Sequence, residues 1–154
     1  MSHRNIIQET FDSYGKQLGA HKSSGSWYLP VDEVTAVLDL QKSQYGPAYY
    51  INVGWWLRAD LRGEFPKPQQ CHIQTRAGSF APPEMESRLK DLLDLESPIG
   101  EAERAEELTG FLSQYVSSKI LAVTAPSDFR SELGLEVLRV SLVNAEGQRL
   151  LSLR

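Results

Sequence analysis

Apolar residues that alternate on both sides of a turn at Gly46-Pro47 constrain the fold of this chain more than any other feature. Apolar side chains recur at every second position in segments 34–42 and 48–58. This period is typical of β-strands that bury one face. A slip of one residue would mix the two faces, so the pattern predicts one antiparallel register. Its core-face pairs are Leu40 with Ile51, Leu38 with Val53, Ala36 with Trp55 and Val34 with Leu57.

The reverse face of this predicted hairpin is polar and aromatic. It pairs Gln41 with Tyr50, Asp39 with Asn52 and Thr35 with Trp56. If segment 70–77 pairs next, with Leu57 opposite Cys71 and Trp55 opposite Ile73, it adds His72, Gln74 and Arg76 to this face. An aromatic ring beside two guanidinium groups can stack on planar groups or bind anions. The candidate binding residues are Gln41, Tyr50, Asn52, Trp56, Arg58, His72 and Arg76.

The remaining segments predict an α+β protein. Ile7, Phe11, Tyr14 and Leu18 lie on one stripe of a helix over about 4–20. The predicted strands lie at about 26–30, 34–42, 48–58 and 70–77. Short links between successive strands favour a meander. We therefore expect a single domain, residues 1–154, with an antiparallel sheet of about four strands in meander order, packed on one face by an N-terminal helix and C-terminal helices, and with the other face open.

The second half of the chain predicts helices. Their expected places are a short helix near 85–92, a longer one from Glu101 to before Pro126, and a third capped by Ser127 that carries Phe129 and Leu133. The tail from Leu142 to Leu153 fits a short helix or a hairpin. The stripe of Val143, Leu150 and Leu151, with Asn144 as a cap, favours the helix. The expected loops are 59–69, 78–83 and 96–100.

Composition narrows the function classes. The chain has 154 residues and a net charge of −4, with 41% hydrophobic residues and one cysteine. The acidic balance argues against duplex nucleic acid as a partner, because phosphate neutralisation supplies most of that affinity. No apolar run approaches the roughly 18 residues of a membrane span, and the first residues do not resemble a signal peptide. We expect a cytoplasmic protein without a membrane role.

The run from Leu40 to Gly46, followed by Tyr49 to Gly54, resembles the signature of a bacterial family called domain of unknown function 4304. Trp27-Tyr28 and Cys71-His72-Ile73 lie where that family has similar residues. The resemblance covers about residues 5–80. It implies a bacterial, cytoplasmic protein of unknown function, and it brings no established activity or catalytic residues.

Catalytic and metal chemistry find little support in the sequence. Cys71 and His72 are adjacent, and neighbours on a strand point to opposite faces, so a thiol–imidazole pair is disfavoured. The three histidines, at positions 3, 21 and 72, have no partner at metal-ligand spacing. We therefore expect no metal, no cofactor and no catalytic residue.

Three function classes stay open. The favoured one is a non-catalytic binding module whose polar sheet face takes a protein partner or a small ligand, with Trp56, Arg58 and Arg76 marking the surface. The second is binding of single-stranded nucleic acid or a nucleotide, since sheet aromatics can stack on bases. The third is a small enzyme with His72 or Asp39 as acid or base. The oligomeric state is left open.

Overall fold

The fold is an α+β arrangement built on one antiparallel meander sheet, as the sequence predicts. The structure is a computed structural model, and it describes residues 4–59, 61 and 63–151. Within these residues the sheet has six strands, each hydrogen-bonded to the next in chain order. They are β1 (His21–Ser23), β2 (Ser26–Val31), β3 (Val34–Lys42), β4 (Tyr49–Trp56), β5 (Ile73–Arg76) and β6 (Leu142–Val143).

The two strands that the sequence does not predict lie at the sheet edges and are very short. β1 pairs with β2 across a tight turn at Ser24 and Gly25, whose φ angles of 51° and 85° are both positive. Turns with two positive φ angles are common in two-residue hairpins, because their twist matches the twist of the two strands that they join. The pairing of β6 with β5 spans only Val143 opposite Ile73 and Leu142 opposite Gln74. Strands of two or three residues are too short to show a period of two.

The predicted hairpin register is confirmed. Leu40 lies opposite Ile51, Ala36 opposite Trp55, and Gln41 opposite Tyr50 on the reverse face. The next strand also pairs as predicted at Trp55 and Ile73. Side chains of β3 and β4 that point to the core face are packed in one hydrophobic cluster, namely Val34, Ala36, Leu38, Leu40, Ile51, Val53 and Trp55.

The predicted pairing of Leu57 with Cys71 is wrong. The β4–β5 ladder begins at Trp55 opposite Ile73, after a 3-10 turn at Pro68–Gln70. Cys71 lies on the reverse face, where it packs with Tyr28 and Val37. A Cβ added at Gly54 would lie 2.9 Å from the Cys71 sulfur. Glycine at this position therefore leaves the space that the Cys71 side chain occupies.

Six α-helices occur in the described residues. They are α1 (Ile6–Leu18), α2 (Pro83–Leu92), α3 (Glu101–Phe111), α4 (Ser117–Ala122), α5 (Glu132–Arg139) and α6 (Ala145–Leu150). A π-helical turn at Leu112–Val116 joins α3 to α4, so the predicted longer helix is one continuous stretch. α1 buries its predicted stripe of Ile7, Phe11 and Tyr14 in the core. It ends at Gly19, which has a φ of 87°.

Of the two helix caps that the sequence predicts, one is wrong and one is confirmed. The cap predicted at Ser127 is wrong, because Pro126–Arg130 forms a 3-10 turn and Ser131 caps α5 instead, accepting a hydrogen bond from the Gly134 amide at 3.1 Å. The Asp128 carboxylate holds that turn by accepting from the Thr124 amide. In the tail the helix interpretation is confirmed, since Asn144 accepts from the Gly147 amide and begins α6. Leu153 lies outside the described residues.

The reverse face of the sheet is not fully open, which corrects the sequence expectation. The segment before β5 crosses part of it and covers a second, smaller cluster of Tyr28, Val37 and Cys71. The Tyr28 hydroxyl donates to the Pro66 carbonyl at 3.1 Å, and Lys67 donates to the Ser26 hydroxyl at 2.8 Å. Beyond this cover, the face stays open at Tyr50 and Arg76. None of the helices in the described residues is long and apolar enough to span a membrane.

Two helical glycines provide a test of this packing. A Cβ at Gly15 would lie 2.5 Å from the Trp27 ring, whereas a Cβ at Gly110 meets nothing within 4 Å. Gly15→Ala should therefore lower the free energy of unfolding by about 1–3 kcal/mol through overpacking. Gly110→Ala should raise it by about 0.5–1 kcal/mol, because alanine favours the helix. Urea unfolding of both variants measures the difference, and equal midpoints would contradict the packing of α1 on β2.

Candidate functional site

The seven candidate residues separate into two groups at opposite ends of β4. One group, Trp56, Arg58 and His72, lies where β4 ends and α6 packs. The other group, Gln41, Tyr50, Asn52 and Arg76, lines a groove beside the start of β4. The structure therefore does not bring all seven residues to one surface.

The first group is held around a buried histidine. The His72 ring has no exposed surface, and it stacks on Trp56 with ring centroids 4.3 Å apart and planes at 20°. Its Nδ1 accepts a hydrogen bond from the Leu57 amide at 2.9 Å. That bond ties the end of β4 to the residue just before β5. His72 thus supports the sheet and does not contact solvent.

An acidic residue of α6, which is not among the seven candidate residues, completes this group. The Glu146 carboxylate accepts from Arg58 at 2.7 Å and lies 3.5 Å from His72 Nε2. Burial lowers the pKa of His72 below its ordinary value, since desolvation outweighs the opposing effect of Glu146. Arg149 lies 3.7 Å from the same carboxylate. No local signal links Glu146 to His72, because 73 residues lie between them in the chain.

The second group lies in an open groove of about 860 Å³. The Arg76 guanidinium lies over the Tyr50 ring, 3.9 Å from its centroid. Asn52 Nδ2 donates to Gln41 Oε1 at 2.9 Å, and Asn52 is directly opposite Arg76 in the β4–β5 ladder. Asn52 is only 8% exposed, so its amide orders the floor of the groove and is little exposed itself.

The electrostatic surroundings of Arg76 differ from those of several other cations of this protein. Among the described residues, no carboxylate lies within 4 Å of it, although several other cations have such partners. Its guanidinium carbon lies over the Tyr50 ring, and an arginine that stacks on an aromatic ring keeps the N–H groups at its edge available to other acceptors. The arrangement suits a planar, negatively charged group in the groove.

The walls of the groove come from residues outside the seven candidates. One wall is formed after β5 by the 3-10 turn Ala77–Phe80 and by α2, and the rim on the other side is formed near β6. The contributing side chains include Glu86, Leu89, Lys90, Leu93 and Asp94 on the first wall and Val140 and Leu142 on the rim. Leu142 is 70% exposed. A strand pattern identifies the floor, but the walls depend on how distant helices pack.

A buried arginine fixes the α2 wall. Arg104 of α3 is 2% exposed, and it donates from Nη1 to the carbonyls of Asp91, Leu92 and Asp94 at 3.0, 2.6 and 2.9 Å. Its Nη2 donates to the Ser97 carbonyl at 2.9 Å. These carbonyls belong to the end of α2 and the following connection, and the last carbonyls of a helix have no hydrogen-bond donor within the helix. A guanidinium there also interacts favourably with the helix dipole.

The same connection is joined to the β3–β4 turn. The Tyr49 amide donates to the Leu93 carbonyl at 2.9 Å, and the Leu95 amide donates to the Pro47 carbonyl at 3.0 Å. The turn region identified in the sequence is therefore attached through its backbone to the wall of the groove. Tyr45 extends from this turn and is 93% exposed.

Nucleophilic chemistry at Cys71 is not favoured by its surroundings. Burial raises the pKa of the Cys71 thiol to about 12, which keeps it protonated at neutral pH. Its side chain packs with Tyr28 and Val37, whereas the neighbouring His72 stacks on Trp56. Within the described part of the chain, no group of three or more His, Cys, Asp or Glu side chains could hold a metal ion.

The fold and the groove define an α+β meander protein with an open recess on one sheet face. The chain belongs to the family described as a domain of unknown function, DUF4304, whose family model matches residues 11–121. The resemblance seen in the strand–turn–strand sequence is thus confirmed. The match ends before α5, so it contains the groove floor and the α2 wall but not Glu146 or Leu142. No curated protein and no solved structure gives a match to the chain.

Removing the Arg104 guanidinium should test how the wall is held. Arg104→Met should lower the free energy of unfolding by about 3 kcal/mol or more, because four charge-assisted hydrogen bonds to backbone carbonyls are lost. Arg139→Met is the matched control, since Arg139 is exposed on α5 and such changes usually stay within about 0.5 kcal/mol. Chemical denaturation of both variants gives the comparison. A loss of less than 1 kcal/mol at Arg104 would contradict its structural role.

Proposed function

We propose that this protein is a non-catalytic binding module whose groove takes a segment of a partner protein, with a carboxylate of that segment contacting Arg76. The observation that carries the proposal is the Arg76 guanidinium stacked on Tyr50 without a carboxylate within 4 Å among the described residues. A guanidinium can donate two parallel hydrogen bonds to one carboxylate. The stack reduces the entropy lost when that contact forms, because the side chain is already oriented.

A protein partner fits the groove better than a small ligand does. Small-molecule sites usually bury 70–90% of their ligand, and this recess is open along a sheet face. Tyr50 is 36% exposed and Leu142 is 70% exposed beside it. Tyrosine and arginine are the residue types that dominate protein–protein hot spots. An extended segment could place an apolar side chain on Leu142 and a carboxylate at Arg76.

Binding of single-stranded nucleic acid is the second candidate, because Tyr50 and Arg76 together offer a ring for stacking and a cation for phosphate. The charges around the groove disfavour it. The wall carries the carboxylates of Glu86 and Asp94 against the cation of Lys90, and the chain carries a net charge of −4. A negatively charged backbone that follows the groove would pass both carboxylates.

Several expectations from the sequence stay predictions. Trp56 and Arg58 remain predicted members of the binding surface, although they lie at the other end of β4 from the groove. The cytoplasmic location also remains a prediction. The single cysteine, buried as a protonated thiol, is consistent with a reducing compartment.

Peptide display against the intact protein provides the test. Selection from a random library of 12-residue peptides should enrich sequences with Asp or Glu next to an apolar residue. Fluorescence anisotropy of a selected peptide should then show that Arg76→Gln weakens binding by about 2 kcal/mol or more, the usual hot-spot threshold. Arg139→Gln, an exposed cation outside the groove, should leave the affinity unchanged.

The outcomes against the proposal are equally specific. Enriched peptides without an acidic residue, or equal affinities for the Arg76→Gln variant and the original protein, would count against it. A poly-dT oligonucleotide serves as the comparison probe. If it binds more tightly than the peptides, and its affinity falls steeply between 50 and 200 mM salt, as expected for phosphate contacts, the nucleic-acid candidate replaces the protein partner.

A further inference from the structure

The floor of the groove contains two side-chain amides, those of Gln41 and Asn52, which we call the amide pair. Asn52 Nδ2 donates to Gln41 Oε1 at 2.9 Å, and neither side chain has another hydrogen-bond partner among the described residues. A carboxamide has one acceptor oxygen and two N–H donors. The amide pair therefore keeps an unused acceptor on Asn52 and unused donors on Gln41.

The unused groups open onto the groove, which both Gln41 and Asn52 line. In the described part of the chain, the buried side-chain nitrogen and oxygen atoms without a partner are Trp55 Nε1, Trp56 Nε1 and His72 Nε2. Asn52 Oδ1 is not one of them, so it reaches solvent even though Asn52 is only 8% exposed. A segment bound in the groove is therefore in a position to contact this oxygen.

Arg76 lies beside the amide pair. Asn52 is directly opposite Arg76 in the β4–β5 ladder, and directly opposite residues have Cα atoms about 4.5–5.5 Å apart. On its other side Asn52 is opposite Asp39, whose carboxylate accepts from the Ser26 hydroxyl at 3.2 Å and not from the amide pair. A segment whose carboxylate contacts Arg76 therefore lies close to the unused groups of the amide pair.

We propose that the amide pair binds the main chain of the partner segment. Asn52 Oδ1 accepts from a backbone N–H of the segment, and Gln41 Nε2 donates to one of its backbone carbonyls. This inference rests on the proposed function, which makes an acidic segment the occupant of the groove. Covering a polar group without a hydrogen bond costs free energy. A peptide group supplies both a donor and an acceptor, whereas a carboxylate supplies only acceptors and an apolar side chain supplies neither.

This arrangement defines the kind of segment that fits. An extended chain advances about 3.3 Å per residue, which is less than the separation of Asn52 and Arg76 across the ladder. The N–H that Asn52 binds therefore belongs to a residue within two positions of the acidic one. Proline has no backbone N–H, so it is excluded from that position, while other side chains are tolerated there. Arg76 selects the charge of the segment, and the amide pair selects its extended main chain.

A scan with N-methylated peptides tests the inference on the unaltered protein. The probe is the tightest-binding 12-residue peptide from the display selection, synthesised with a methyl group on one backbone nitrogen at a time. Fluorescence anisotropy should show that methylation at one position within two residues of the acidic residue weakens binding by about tenfold, because one hydrogen bond is left unmade. Methylation at the ends of the peptide should leave the affinity unchanged.

Variants of the amide pair assign the loss to a particular side chain. Asn52→Leu keeps a similar volume but cannot accept a hydrogen bond, so the methylated and unmethylated peptides should bind this variant equally well. Gln41→Met should weaken binding of the unmethylated peptide by about fivefold, since it removes one donor. Gln17→Met is the matched control, because Gln17 is exposed on α1, and it should leave the affinity unchanged. Urea unfolding shows whether each variant is folded.

Two results would overturn the inference. One is a scan in which no methylation within two residues of the acidic residue weakens binding, and the other is an equal methylation loss in Asn52→Leu and in the original protein. If either occurs while Arg76→Gln still weakens binding of the unmethylated peptide, the proposed function stands and only the main-chain inference falls. If Arg76→Gln leaves that affinity unchanged, both fall.

Discussion

The ladder between β3 and β4 is the contact on which the rest of the structure depends. It sets Leu38 opposite Val53 on one face and Asp39 opposite Asn52 on the other, and the alternation of strand side chains carries this separation along both strands. The apolar face buries against α1 and the later helices. The polar face therefore packs against other residues only where another segment of the chain covers it.

The absence of a side chain at Gly54 divides that polar face in two. Cys71 and Pro68 pack into the space above Gly54, and the covering segment thereby buries Tyr28 and Val37 at one end of the sheet. Beyond this cover, Tyr50 and Arg76 remain exposed at the other end. The groove thus exists because the cover stops midway across the sheet, with one side of it bounded by α2.

Distant parts of the chain complete both ends of the site through backbone contacts. At the groove, Arg104 gathers the carbonyls at the end of α2, and that connection bonds to the β3–β4 turn. At the other end, Asn144 bonds to the backbone of Cys71 and His72. Backbone hydrogen bonds of this kind require a fixed local geometry, so the groove and the packing of α6 on the sheet are both sensitive to how the helices are placed.

The sequence by itself determined the elements whose period is strong. The strands β2 to β5, the register of the β3–β4 hairpin, the buried stripe of α1 and the Asn144 cap of α6 all follow from spacing and capping chemistry, because these depend on neighbours a few residues apart. The same spacing placed Gln41, Tyr50, Asn52 and Arg76 on one polar face, and they share the groove.

Only the tertiary structure decided what surrounds those residues. Cys71 leaves the core face because the chain turns at Pro68–Gln70 before β5, and the cap of α5 moves to Ser131 because the preceding residues form a 3-10 turn. The sequence places His72 on the polar face of the sheet, yet Trp56 and α6 bury it. The burial of His72 depends on a segment more than 70 residues further along the chain, and no local period in the sequence indicates that contact.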